Sequence, residues 1–217
     1  TITSFTNNVI TNCDKAPATL GHISQAGVFD TSSKLSGNNE EYEYIEISSG
    51  TLDVNNLTIK ETTVPYYLTS WNTIKKTLTI QEGATFYMHT AAYITVNEMG
   101  RINAVGTAAK PVKFTRLPNM GYYWKYIELS TENGSSFTNC IFEYGAKDTN
   151  DGMVYVSSGA EFTFTDCKFQ NTNNYGVNIY SSKASLGGTV KGSGNTFSNC
   201  TAGNVRLYNG QTSPTLP

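Results

Sequence analysis

The tetrapeptide Phe137-Thr138-Asn139-Cys140 recurs as Phe164-Thr165-Asp166-Cys167 and Phe197-Ser198-Asn199-Cys200, with Ile10-Thr11-Asn12-Cys13 as a weaker fourth copy. After each strong copy comes an alternating element: Met153-Val154-Tyr155-Val156, Gly176-Val177-Asn178-Ile179-Tyr180 and Asn204-Val205-Arg206-Leu207-Tyr208. The cysteine steps are 27 and 33 residues and the valine steps 23 and 28. Internal repeats of this length mark a solenoid, whose units cannot bury an apolar face alone and do so only by stacking.

Between the repeats run short strands with apolar residues at i and i+2, the pattern of one-face burial: Leu78/Ile80, Phe86/Met88, Ile94/Val96, Ile102/Ala104, Val112/Phe114 and Ile127/Leu129. The first four pairs recur every eight residues and are separated by turn residues such as Glu82-Gly83 and Glu98-Met99-Gly100. Alternation stops after three to five residues, too short for hairpins. We therefore expect an all-β fold, a single-stranded right-handed parallel β-helix with about three short strands per coil and about 24 residues in each.

We read residues 1–217 as one β-helix domain, with degenerate coils and loops over 1–60 and regular coils over 65–208. Asp14 to Leu35 is the least strand-like stretch and is expected to cover an end or form a lateral loop; Pro214 and Pro217 suit a terminating edge. Asn139, Asp166 and Asn199 are expected to form one ladder at a turn. Cys140, Cys167 and Cys200 should follow as an inward file of free thiols, with Cys13 also free.

Composition excludes some partners. Fifteen Lys and Arg against 17 Asp and Glu leave a net charge of −2, no field for a phosphate backbone, so nucleic acid is not an expected partner. No apolar run approaches the ~20 residues of a transmembrane helix. The chain begins at Thr1 with no apolar leader, as expected of a mature form cut from a longer precursor.

Catalytic signals are sparse. Glycoside hydrolysis needs paired carboxylates, but there are only six Asp, one of them in the ladder position, while outward Glu residues such as Glu128 and Glu143 could pair across coils. His22 and His89 lie far apart and no nucleophile elbow is present, so we expect no catalytic triad, no metal site and no cofactor. Lys147-Asp148-Thr149-Asn150-Asp151-Gly152 has oxygen ligands but lacks a distal bidentate Glu, and reads as a solvated turn. The acidic run Glu40, Glu41, Glu43 and Glu46 reads as a solvated, edge-protecting face.

The aromatic clusters are the candidate ligand-binding residues: Tyr66 and Tyr67 with Trp71, and Tyr122, Tyr123 and Trp124 with Tyr126. Flat rings stack on sugars while Asn, Thr and Glu bond the hydroxyls. Packing is the competing reading, with Trp124 at a coil corner. Tyr87, Tyr93 and Tyr155 alternate with inward residues and should point outward.

One resemblance adds to this. Pro65-Tyr66-Tyr67-Leu68, Leu78-Thr79-Ile80-Gln81-Glu82-Gly83-Ala84, Ile94-Thr95-Val96, Gly100-Arg101-Ile102-Asn103-Ala104-Val105-Gly106-Thr107, Pro111-Val112-Lys113-Phe114-Thr115 and Trp124-Lys125-Tyr126-Ile127 together resemble β-helix domains of bacterial surface proteins and lipoproteins, especially from Bacteroidetes, a pectate-lyase-like solenoid. The likeness covers about residues 65–208. It implies export to the cell surface, with outer-membrane lipoprotein anchoring as one mode, and carries no catalytic residues. The expected function is a non-catalytic surface rod that binds polysaccharide or cell-surface glycan; the alternatives are a polysaccharide lyase or glycoside hydrolase, and a structural spacer.

Overall fold

In a computed structural model, described for residues 2–148, 152–157, 159–180 and 191–208, the alternating strands wind into a right-handed parallel β-helix built from three parallel sheets. Face one has eight strands (18–20, 45–47, 66–68, 85–88, 112–115, 140–143, 168–172 and 196–200). Face two has seven (50–52, 71–74, 93–96, 127–129, 152–156, 175–180 and 203–208), and face three has six (57–59, 77–81, 101–105, 135–138, 162–165 and 191–193). From strand 45–47 onward the chain visits faces one, two and three in turn, so each strand pairs with its equivalents one coil before and after.

Every anticipated i/i+2 pair points inward and is buried, from Leu78/Ile80 through Ile127/Leu129. A file of aromatic rings lines face one inside: Tyr66, Phe86, Phe114, Phe142, Phe169 and Phe197 stack with centroids 4.9–5.4 Å apart. Their interplanar angles are 23° or less, because in-register strands in successive coils hold the rings one above another. Phe137 and Phe164 form a second stack on face three and meet the first edge-on at Phe142.

The repeated tetrapeptide has one local meaning and two positions. Asn12, Asn139, Asp166 and Asn199 all have left-handed backbone, φ between 49° and 59°, a conformation Asn and Asp tolerate best after Gly; each bends the chain sharply. Asn139 and Asp166 turn face three into face one, whereas Asn199 lies at the end of a face-one strand and turns the chain toward face two. The expected three-membered ladder is therefore corrected: Asn199 pairs with Asn171, Nδ2 to Oδ1 at 2.9 Å, and Cys200 registers with Thr172.

Cys140 and Cys167 do stack, both fully buried, their thiols directed at backbone carbonyls of Thr138 and Thr165 at 3.5 Å. Cys13 and Cys200 are free but only partly buried. A hydrogen bond with Cys167 and then burial keep the Cys140 thiol protonated well above its ordinary range.

Before the regular coils, Ile23–Val28 forms a 3-10 helix that buries Ile23 and Ala26 against the first strands of faces two and three. The Asp14–Leu35 segment thus covers one end of the core. Glu43 is anchored rather than merely solvated, its carboxylate accepting from the Gly37 and Asn38 amides. The 147–152 turn and the two C-terminal prolines lie wholly or partly outside the described residues. Among the described residues no helix is long and apolar enough to cross a membrane.

Candidate functional sites on faces one and two

The seven aromatic candidates separate into three environments. Tyr66 and Trp124 are in the core and fully buried, which corrects their place in a surface cluster. Tyr66 joins the ring file, and its hydroxyl donates to the Lys60 carbonyl at 3.1 Å. Trp124 fills the corner after the strand 140–143: its Nε1–H donates to the Glu143 carbonyl at 2.8 Å, and its ring lies on Gly145, where a Cβ would come within 2.5 Å of it.

Tyr67 and Tyr122 belong to an outer cluster on face one. The eleven-residue connection 116–126 folds back so that Tyr122 meets His89 at 5.9 Å, while Tyr67 contacts His89 at 6.2 Å and Tyr44 at 4.6 Å. Tyr67 is only 7% exposed. Burial, reinforced by Tyr122 and Glu46, pushes its phenol far above the ordinary tyrosine range.

Tyr123 packs from the same connection on Arg116, whose guanidinium lies 3.9 Å over the Tyr144 ring and donates to the Tyr122 carbonyl at 2.9 Å. A cavity of about 420 Å³ opens beside it, lined by Tyr87, Lys113, Arg116 and Glu143 among others. Glu143 is paired with Lys113 at 3.8 Å and accepts from Gln170 Nε2 at 2.8 Å. On the other side of Leu117-Pro118-Asn119 a second cleft of about 650 Å³ is lined by Tyr42, Tyr44 and Met120.

Trp71 and Tyr126 stand on face two with Tyr93, a ring that the sequence placed outward but not in the binding group. Trp71 registers with Tyr93, and Ile94 with Ile127, so Tyr93 and Tyr126 align as well. Tyr93 and Tyr126 are 5.5 Å apart, and Tyr126 reaches Tyr155 of the next coil at 6.3 Å. Trp71 is 40% exposed. Two residues along the same strands runs a second column, Thr51, Thr73, Thr95 and Glu128, again in register. Because alternate side chains share a face, the columns lie side by side about 6.7 Å apart, with each coil adding about 4.8 Å.

Glu128 and Glu143 do not meet: Glu143 is on face one, and Glu128 is on face two, accepting from Ser130 at 2.9 Å and Thr95 at 3.5 Å. No cluster of metal-ligating side chains occurs among the described residues. Both histidines have local structural work. His22 caps the 3-10 helix and accepts from the Thr51 amide at 2.8 Å, and His89 accepts from the Ala91 amide at 3.2 Å. Comparison with protein-family models, with curated proteins and with solved structures gave no match.

Proposed function

We propose that this chain is an exported, non-catalytic β-helical rod that binds glycan on face two. The observation that carries the reading is the paired column there: a rail of Trp71, Tyr93 and Tyr126 beside a rail of Thr51, Thr73, Thr95 and Glu128. A sugar ring offers an apolar C–H face and a rim of hydroxyls, and the two rails offer a matching ring surface and matching polar groups.

The resemblance of residues 65–208 to Bacteroidetes surface β-helix domains supports export and display at the cell surface. Hydrolysis is the less favoured reading, since the face-one cavity brings one carboxylate, Glu143, together with Lys113 and Arg116, where that chemistry needs two carboxylates.

A glycan array probed with the purified chain, with reducing-end assays on every glycan bound, tests the proposal. Binding without new reducing ends is expected. Turnover of a bound glycan would make the protein an enzyme, and silence across the array would leave the spacer.

A further inference from the structure

Resting on that reading, we infer that the face-two rail takes a straight, unbranched, uncharged β-1,4-linked glycan chain lying parallel to the helix axis, one sugar ring to each coil. The axial direction follows from where the rings are. A chain laid along a strand would meet one aromatic side chain and then leave the face. A chain laid along the axis meets Trp71, Tyr93 and Tyr126 in succession, while Tyr155 of the next coil registers with Glu128 and so ends the neighbouring column, 6.3 Å from the Tyr126 ring.

The step favours a straight chain. Successive coils advance by about 4.8 Å, close to the advance of one pyranose in an extended β-1,4-linked ribbon, so a ring file and a sugar file stay in phase over the three coils that carry Trp71, Tyr93 and Tyr126. An α-1,4-linked chain curves and would leave the rail after one or two contacts. The neighbouring column supplies the hydroxyl contacts in the same phase, one Thr or Glu per coil. Among the described residues no protein group holds the Thr51 or Thr73 hydroxyls.

The charge on the face selects against acidic chains. Lys125 lies with its ammonium 5.0 Å over the Tyr93 ring, and Glu128 stands in the polar rail one strand away. The flanking Lys75 and Glu98 form an ion pair. Cations and anions balance, and a uronate chain would bring its carboxylates beside Glu128 with no surplus positive charge to receive them.

Isothermal titration of the whole chain with cellohexaose, maltohexaose and a hexagalacturonate tests this. Cellohexaose is expected to bind, the other two to bind at least about tenfold more weakly, and affinity to rise from cellobiose to cellotriose and then level off as the three-ring rail is filled. W71A/Y126A should weaken cellohexaose binding about tenfold or more, and W71F/Y126F should hold it within about threefold, since a ring face is what the sugar needs.

T163A/T165A on face three should leave binding unchanged. Circular dichroism checks that each variant is folded; W71A alone, at an exposed strand start, keeps the test available if the double variant is not. Maltohexaose or hexagalacturonate binding as tightly as cellohexaose, or full binding by W71A/Y126A, overturns the inference while leaving glycan binding standing. An unmodified chain that binds none of these and nothing on the array overturns both.

Discussion

Phe142→Ala is the most direct probe of what holds the coils together. Phe142 is fully buried and touches four rings, stacked on Phe114 at 5.3 Å and Phe169 at 4.9 Å and edge-on to Phe137 at 5.5 Å and Phe164 at 6.1 Å. Truncating a buried Phe costs about 3–5 kcal/mol in lost transfer energy and cavity. The ring geometry adds about 0.5–1.5 kcal/mol per aromatic pair beyond area, so we expect about 5 kcal/mol, at the top of that range.

Rigid parallel strands above and below limit collapse of the cavity, which points the same way. In a solenoid each coil contacts only its neighbours, so the loss falls on one interface and should also separate unfolding into two steps. Equilibrium urea unfolding followed by far-ultraviolet circular dichroism and by Trp fluorescence reads both effects. Phe142→Leu should recover all but about 1–2 kcal/mol. Ile141→Ala, outward on the same strand, should cost no more than about 0.5 kcal/mol. A Phe142→Ala cost below about 2 kcal/mol with an unchanged urea slope would refute the claim that the ring file bears the stability.

Three further outcomes follow from the same geometry. Gly145→Ala forces a methyl against the Trp124 ring and should destabilise by about 1–3 kcal/mol with a shifted Trp emission, whereas Gly121→Ala, with open space around it, should leave both unchanged. Asn139→Val, placing a β-branched residue at φ 49°, should cost about 1–3 kcal/mol, while Asn139→Gly should stay within about 0.5 kcal/mol; equal costs would mean that the side chain, not the backbone, matters. In alkaline titration, burial holds Tyr66 and Tyr67 above the ordinary value of 10.0. Above pH 10 the unfolded state sheds these protons and the native state keeps them, so stability is full below that pH and falls as pH rises, by up to about 1.4 kcal/mol per unit for each group. Absorbance at 295 nm should show both tyrosines ionising only with unfolding, and early titration of the whole set would contradict their burial.

Much of the fold was legible because a strand writes its inward face at every second residue. Leu78/Ile80 and its companions needed no neighbour to declare their side. The aromatic sites were legible only in part, for the same reason. Pro65-Tyr66-Tyr67-Leu68 is apolar at every position, so alternation does not say which tyrosine turns inward. Pairing with Phe86 decides for Tyr66 and puts Tyr67 outside. Trp124 follows two tyrosines in a connection with no alternation at all, and the glycine that accepts its ring lies 21 residues later in the chain.

By itself, then, the sequence determined what local chemistry determines: short alternating strands, their inward residues, and turns at Asn139, Asp166 and Asn199. Tertiary structure alone decided which coil and which corner each element occupies. The same Phe-x-Asn-Cys phrase turns two different corners, because the 33 residues from Cys167 to Cys200 exceed the 28 that separate paired residues Phe169 and Phe197 and so carry the phrase past the first corner. Coil register also aligned Trp71 with Tyr93 and Tyr126, residues 22 and 55 positions apart in the chain, into one rail. Inter-coil hydrogen bonds set that register, and no window of sequence contains them.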